Sequence, residues 1–359
     1  LIQTFLARQR SVLLSAATLC LCFAACSEKD HEPKMFKRIS SAHSGIDFNN
    51  QIQPFENDTL NALEYDVLFN GAGVGIGDFN ADGLQDIFFA GNLVSSQLYV
   101  NQGDFKFLEV TEKAGVATTK WCTGVSVADI NQDGLLDIYV AVAHAMGSKE
   151  ERSNLLFINQ GNNAEGIPIF EELSNAYGLA DDGFSIQSVF FDYDKDGDLD
   201  CYILSNAMEK TGRNQLHKKR NNGESPSNDR LYRNNGFVDG HPSFENVTLG
   251  AGILKEGHGL GVCVTDLNQD GWLDVYCAND FVSNDNIWIN NHDGTFVDKS
   301  AEYLKHTSYN SMGVDIQDIN NDGLLDICVV DMLPEEEQRR KMMVMKTNRD
   351  FFSMAKGLG

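Results

Sequence analysis

Five stretches of this sequence follow one nine-residue pattern, Asp-x-(Asn/Asp)-x-Asp-Gly-x-x-Asp. They are Asp78-Asn80-Asp82-Gly83-Asp86, Asp129-Asn131-Asp133-Gly134-Asp137, Asp192-Asp194-Asp196-Gly197-Asp200, Asp266-Asn268-Asp270-Gly271-Asp274 and Asp318-Asn320-Asp322-Gly323-Asp326. Oxygen-bearing side chains at alternate positions, a glycine that permits a sharp turn, and a closing carboxylate make an oxygen cage for a hard cation. Calcium fits best, because such loops offer more oxygens than the magnesium octahedron accepts. The expectation is about one calcium ion per loop, five in all. The competing reading is a set of acidic Asx turns that cap strands without metal. Carboxylates at both ends of every loop count against it, since they repel unless something positive lies between them.

The elements that position these cages are also legible. Gly124-Val125-Ser126-Val127-Ala128 precedes the second cage and Ile138-Tyr139-Val140-Ala141-Val142 follows it. Their β-branched and aromatic content over a short run predicts strands. An EF-hand would need helices there instead. A third signature follows each of the first four cages: Leu98-Tyr99-Val100-Asn101, Leu156-Phe157-Ile158-Asn159, Leu231-Tyr232-Arg233-Asn234 and Ile287-Trp288-Ile289-Asn290. A fourth begins at Phe107, Phe170, Phe244 and Phe296. Four short strands separated by turns, and then repeated, describe propeller blades.

Spacing supports that reading. From Phe107, Phe170, Phe244 and Phe296 to the next cage aspartate the separation is always 22 residues. From the ninth-position aspartate to the signature asparagine it varies, at 15, 22, 34 and 16 residues. In an up-and-down meander the cage joins strands one and two, so the variable loop projects from the opposite rim. Variable loops on a rigid frame are where recognition is expected.

At 359 residues and 42% apolar content the chain can bury a large core. A net charge of −24 counts against nucleic acid and anionic membrane surfaces as partners. Near the start, Arg8 and Arg10 precede an apolar run over residues 12–25 that is too short to span a bilayer. Phe23-Ala24-Ala25-Cys26 resembles a bacterial lipoprotein box, with Cys26 as the lipidated residue. Residues 1–25 are then a signal peptide and residues 26–35 an acidic tether. The alternative is a plain secretory peptide cleaved nearby.

Cys122, Cys201, Cys263, Cys277 and Cys328 show no CxxC spacing and read as small buried thiols in strands. Cys263 and Cys277 flank one cage, but no disulfide is expected between them. Phe36-Lys37-Arg38-Ile39-Ser40 followed by Gly45-Ile46 reads as a lone outer strand. The fifth cage is followed by Pro334-Glu335-Glu336-Glu337 and a Met-rich tail, with no third-strand signature.

These motifs resemble the FG-GAP/VCBS repeats of integrin-α-like β-propellers. More narrowly, Asp331-Met332-Leu333-Pro334-Glu335 and the stretch reaching Asp229-Arg230-Leu231-Tyr232-Arg233-Asn234 resemble bacterial surface proteins with an ASPIC/UnbV region. The resemblance covers residues 36–359. It implies an all-β fold of four-stranded blades, seven when complete and about five here, so that the propeller is incomplete at the C-terminus. It also implies calcium held by positions one, three, five and nine of each loop. The carbonyls of Leu84, Leu135, Asp198, Trp272 and Leu324 at position seven would join them.

The functional expectation is a non-catalytic, lipid-anchored module at the bacterial outer membrane or cell surface, with periplasmic or secreted placement as the fallback. It would bind an extracellular glycan or protein and touch the membrane only through its anchor. The basic stretch Arg213, His217, Lys218, Lys219 and Arg220 stands out on the variable side, either as a contact for an anionic ligand or as a solvated loop. The alternative class is a polysaccharide lyase or hydrolase built on a propeller with structural calcium. No nucleophile elbow, HExxH or phosphate loop supports it.

Overall fold

The computed structural model describes residues 35–52, 70–143, 148–207, 219–280, 283–308, 310–332 and 335–338. The chain divides into two units, Leu1–His43 and Ser44–Gly359. Of the first, residues 35–43 are described, and they hold no strand. The lone outer strand expected at Phe36 is therefore not formed among the described residues. A strand needs a neighbour to pair with, and only the helical turn Ser41–Ser44 that follows it is built. The signal peptide, Cys26 and the basic residues Arg213, His217 and Lys218 lie outside the described residues.

The second unit is all-β. Its first sheet comprises β1 (Gly73–Gly77), β2 (Asp86–Ala90), β3 (Gln97–Asn101) and β4 (Phe107–Glu109). The second comprises β5 (Cys122–Ala128), β6 (Asp137–Val142), β7 (Leu155–Asn162) and β8 (Pro168–Glu172). The third comprises β9 (Ser185–Phe191), β10 (Asp200–Ser205), β11 (Arg230–Val238) and β12 (His241–Asn246). The fourth comprises β13 (Gly259–Thr265), β14 (Asp274–Asn279), β15 (Asn286–Asn290) and β16 (Phe296–Asp298). A fifth sheet holds β17 (Ser311–Gln317) and β18 (Asp326–Asp331). Each four-stranded sheet is an antiparallel meander in chain order, the arrangement of a propeller blade.

Successive blades pack through their first strands, β1 on β5, β5 on β9, β9 on β13 and β13 on β17. The glycines of β1 permit the first of these contacts. A Cβ at Gly75 would stand 2.8 Å from a Val125 methyl and 2.9 Å from a Val127 methyl. The second strands lie between two blades, so β6, β10 and β14 are buried at every residue. Burial on both faces explains their unbroken apolar runs, where a half-solvated strand would alternate.

The ends of the array differ for the same reason. Val74 and Ile76 occupy the positions that Val125 and Val127 fill in the second blade, yet they are 53% and 59% exposed. Among the described residues no sheet precedes β1. Cys328 is exposed on β18, contrary to the buried thiol expected, because no described sheet covers that face. Cys122, Cys201 and Cys277 are buried and Cys263 is half-buried. Cys263 pairs in register with Tyr276 and Cys277 with Val262, so the two thiols stand on opposite faces of the hairpin, and both are free.

A second repeated device joins neighbouring blades. The residue that ends the turn after strand four is a left-handed glycine, Gly115 at φ 78° and Gly178 at φ 79°. Its Cα lies against the carbonyl of the next blade's phenylalanine. A Cβ on Gly178 would stand 2.5 Å from the Phe244 oxygen. Gly45 stands in the same relation to Phe107, so part of the lone-strand signature is built.

Candidate metal loops and the opposite rim

All five predicted cages are loops between the first and second strands of a blade. The chain takes a left-handed turn twice within each. Glycine does so at position six, as the pattern requires. Position four does so without glycine, at Ala81, Gln132, Lys195, Gln269 and Asn321, with φ between 56° and 61°. Such a conformation costs about 1–2 kcal/mol per residue, so the side chains around it must hold it in place.

The hydrogen bonds show how. In the first loop the Asp82 and Gly83 amides donate to the two carboxylate oxygens of Asp78, at 3.0 and 2.8 Å. The Leu84 amide donates to Asp82 Oδ1 at 2.8 Å. Asn80 accepts from the Asp82 amide and donates through Nδ2 to Asp82 Oδ2. The same bonds recur at Asp129, Asn131, Asp133 and Leu135, and at Asp266, Asn268, Asp270 and Trp272. In the fifth loop Asp318, Asn320, Asp322 and Leu324 keep the backbone part of the set.

The ninth-position aspartates tie the loop to the blade. Asp86, Asp137, Asp200 and Asp274 are fully buried. Each accepts the amide of loop position two with one oxygen and that of the third-strand asparagine with the other. For Asp137 these are Ile130 and Asn159, both at 2.9 Å. This explains the asparagine of the third signature. Its side chain reaches further: Asn159 Nδ2 donates to the Phe79 carbonyl of the preceding cage at 2.8 Å, and Asn290 Nδ2 to that of Tyr193 at 2.8 Å. Asp326 has no third strand beside it among the described residues and takes the Ile319 amide.

Burial lifts these carboxyls, against the pull of their amide donors and with help from neighbouring carboxylates. Asp86 is pushed up to about 6, Asp137 to about 7 and Asp200 to about 8. Asp274 is raised for the same reason.

The third loop is different in chemistry. It carries aspartate at positions one, three, five, seven and nine, so the Asn Nδ2 donor of other loops is missing. The Gly197 amide still donates to Asp192 Oδ2 and that of Asp198 to Asp196 Oδ1, each at 3.1 Å. Asp192 Oδ1, Asp194 Oδ1 and Asp198 Oδ1 are enclosed and have no hydrogen-bond partner. Oxygens of Asp192, Asp194 and Asp200 lie within 4.8 Å of one another. Burial first, and neighbouring carboxylates second, raise Asp194 and push Asp198 to about 6. Enclosed acceptors without donors are costly alone and are the donor set that a hard cation takes.

The opposite rim carries a repeated device that the sequence reading missed. The residue just before each third strand accepts the amide that ends the second. Ser96 takes Gly91, Asn154 takes Val142, Asp229 takes Ser205 and Asp285 takes Asn279. In the last three it also bonds the tyrosine two places after the ninth aspartate: Tyr139, Tyr202 and Tyr276. The signal was available as Ser/Asn/Asp two places before each Leu or Ile of the third signature.

Comparison with known proteins agrees with the repeat. The FG-GAP-like repeat matches residues 78–140 and 266–329. Cartilage acidic protein 1 of Mus musculus is 26% identical over 211 residues, which are 57% of this chain and 28% of that protein. Its Homo sapiens counterpart is also 26% identical, over 57% of this chain and 27% of its own length. The chain thus spans little more than a quarter of these relatives. Among solved structures, an Agrocybe aegerita lectin specific for non-reducing terminal N-acetylglucosamine aligns at TM-score 0.39 and 20% identity, over 71% of this chain and 59% of its own. The V. cholerae biofilm matrix protein Bap1 aligns at TM-score 0.32 and 16% identity, over 66% of this chain and 29% of its own.

Proposed function

We propose that the chain is a calcium-stabilised, non-catalytic propeller module that binds a glycan or protein outside the cytoplasm. The observation that carries the calcium reading is the third loop, with three enclosed carboxylate oxygens that no protein donor satisfies. The other four loops share its backbone, including the left-handed fourth residue, so the reading extends to them.

Asp192, Asp194, Asp196 and Asp200 would hold the ion in the third loop, with the Asp198 carbonyl. The equivalent sets are Asp78, Asn80, Asp82, Leu84 and Asp86; Asp129, Asn131, Asp133, Leu135 and Asp137; Asp266, Asn268, Asp270, Trp272 and Asp274; and Asp318, Asn320, Asp322, Leu324 and Asp326. The ion would supply positive charge among carboxylates that otherwise repel. The chain's own part is to orient: the amides of positions five, six and seven aim the carboxylates inward, and the buried ninth aspartate ties the loop to its third strand.

Export and lipidation at Cys26 complete the proposal, as does the finer likeness to ASPIC/UnbV-type surface lipoproteins. The test is retention of the purified protein on immobilised extracellular polysaccharides with calcium, with chelator, and after chelator plus added calcium. Retention that chelator abolishes and calcium restores is expected. Retention indifferent to chelator would contradict the calcium role, and release of shortened sugars would contradict the non-catalytic one.

A further inference from the structure

The repeat supplies its own reference for what each position needs, so departures from it stand out. Loop position three is asparagine in four cages and Asp194 in the third. Loop position seven is Leu84, Leu135 and Leu324 in three cages, Asp198 in the third, and Trp272 in the fourth. The third-strand residue before the asparagine is Val100, Ile158 and Ile289 in three blades and Arg233 in the other. The residue two places after that asparagine is Gly103, Gly161 and Gly236 in three blades, left-handed in each, and His292 in the fourth.

These departures come from four separate segments, and four of them meet. Asp194, Arg233, Trp272 and His292, with Tyr193 and Thr295, line one cavity of about 400 Å³. It lies on the cage rim, beside the third and fourth loops, and its size suits a small ligand.

His292 stands at φ 66°, the left-handed turn that its counterparts Gly103, Gly161 and Gly236 also make and that glycine adopts more readily than histidine. Its imidazole stacks on the Trp272 indole, centroids 4.8 Å apart and planes at 17°, and its Nε2 lies 2.8 Å from Asp270 Oδ2. Lys195 Nζ covers the indole at 4.5 Å from the ring centroid. Arg233 is held at the edge by Asn235 and Glu245, at 3.0 and 3.4 Å. The turn is common to all four blades; a side chain at it in one blade, used to place a polar ring on an aromatic one, is the mark of a site rather than a fold requirement.

We infer that this cavity is a binding site for a neutral, sugar-sized polyhydroxylated ligand. The inference deepens the ligand-binding reading above and rests on it. Trp272, its indole covered by His292 and Lys195, forms part of the wall, while guanidinium, imidazole, carboxylate and the Thr295 hydroxyl supply donors and acceptors for ring hydroxyls. Charges of both signs line the walls, and the chain as a whole carries −24, so an acidic sugar is disfavoured.

Trp121 and Trp288 are buried at 8% and 2% exposure, which leaves Trp272 as the tryptophan that reports on this cavity. Methyl glycosides of neutral hexoses, N-acetylhexosamines and hexuronic acids are titrated at millimolar concentration with calcium present, following tryptophan emission and saturation-transfer NMR. Saturable binding of at least one neutral glycoside is expected, with the uronic acids silent. His292→Gly restores the residue the other blades carry, so it should fold with an unchanged or higher melting temperature. It should weaken binding by about tenfold or more, as should Arg233→Ala. Trp272→Phe should remove the emission change.

Silence across the whole panel, or binding that survives both His292→Gly and Arg233→Ala, overturns the assignment. If polysaccharide retention persists in His292→Gly, the cavity fails as the site and the module reading stands. If the native chain is retained on no polysaccharide and binds no glycoside, the cavity and the glycan-binding reading both fail.

Discussion

At the scale of single residues, one carboxylate does different work depending on what surrounds it. Asp137 is fully buried and accepts two amides, whereas Asp326 accepts one in an exposed loop. In chelator, Asp137→Ala should therefore cost about 2–6 kcal/mol from two stranded donors, and Asp326→Ala about 1 kcal/mol. Urea unfolding of both variants checks this. Asp229, on the other rim, titrates. Burial carries its carboxyl up to about 6, although the Ser205 amide and Tyr202 hydroxyl pull it down. A folded pKa above the unfolded value near 4 means a stabilising contribution present in full below about pH 4 and lost as pH rises through 6. Asn154 shows that asparagine fits the same place, bonding Val142 N at 2.8 Å and the Tyr139 hydroxyl at 2.9 Å. Asp229→Asn should thus gain on the native protein by about 3 kcal/mol between pH 4 and pH 8, read from paired urea titrations at the two pH values.

At the scale of elements, the strands and the loops joining first to second strands were legible because each rests on a repeated letter. Period and residue type marked β1 to β18, the ninth aspartate marked each second strand, and asparagine marked each third. What stayed hidden has a physical reason. Ser96, Asn154, Asp229 and Asp285 do one job with three residue types, so no single letter marks it. The left-handed Ala81, Gln132, Lys195, Gln269 and Asn321 are imposed by carboxylate–amide bonds and not by their own preference. The cavity of Trp272 and His292 consists of departures, which a search for repetition passes over. The constant spacing from strand four to the next cage was legible, whereas the glycine pressed on the next blade's carbonyl was not. Gly178→Ala meets both a left-handed backbone and the Phe244 oxygen at 2.5 Å, and should cost about 2–5 kcal/mol. Gly161→Ala, left-handed but with nothing within 4 Å, should cost about 1–2 kcal/mol. Thermal unfolding of the pair separates backbone strain from the junction clash.

At the scale of the whole molecule, stability is shared along a line of blades, each touching its neighbours through β1, β5, β9, β13 and β17. The cages are stitched into that line: Gln132 Nε2 of the second donates to the Gly197 carbonyl of the third at 2.9 Å, and Asn162 Nδ2 to the Asn80 carbonyl of the first at 2.7 Å. An ion bound as proposed would therefore stiffen one loop's contact to the next, and binding to the folded state alone would raise stability by mass action. The most direct measurement is calorimetric titration of calcium into chelator-stripped protein, with melting temperatures taken before and after. Calcium bound as proposed should give heat that saturates near five ions per chain, one for each cage, and a melting temperature that climbs with free calcium. Absence of heat, with melting identical in calcium and in chelator, would contradict it.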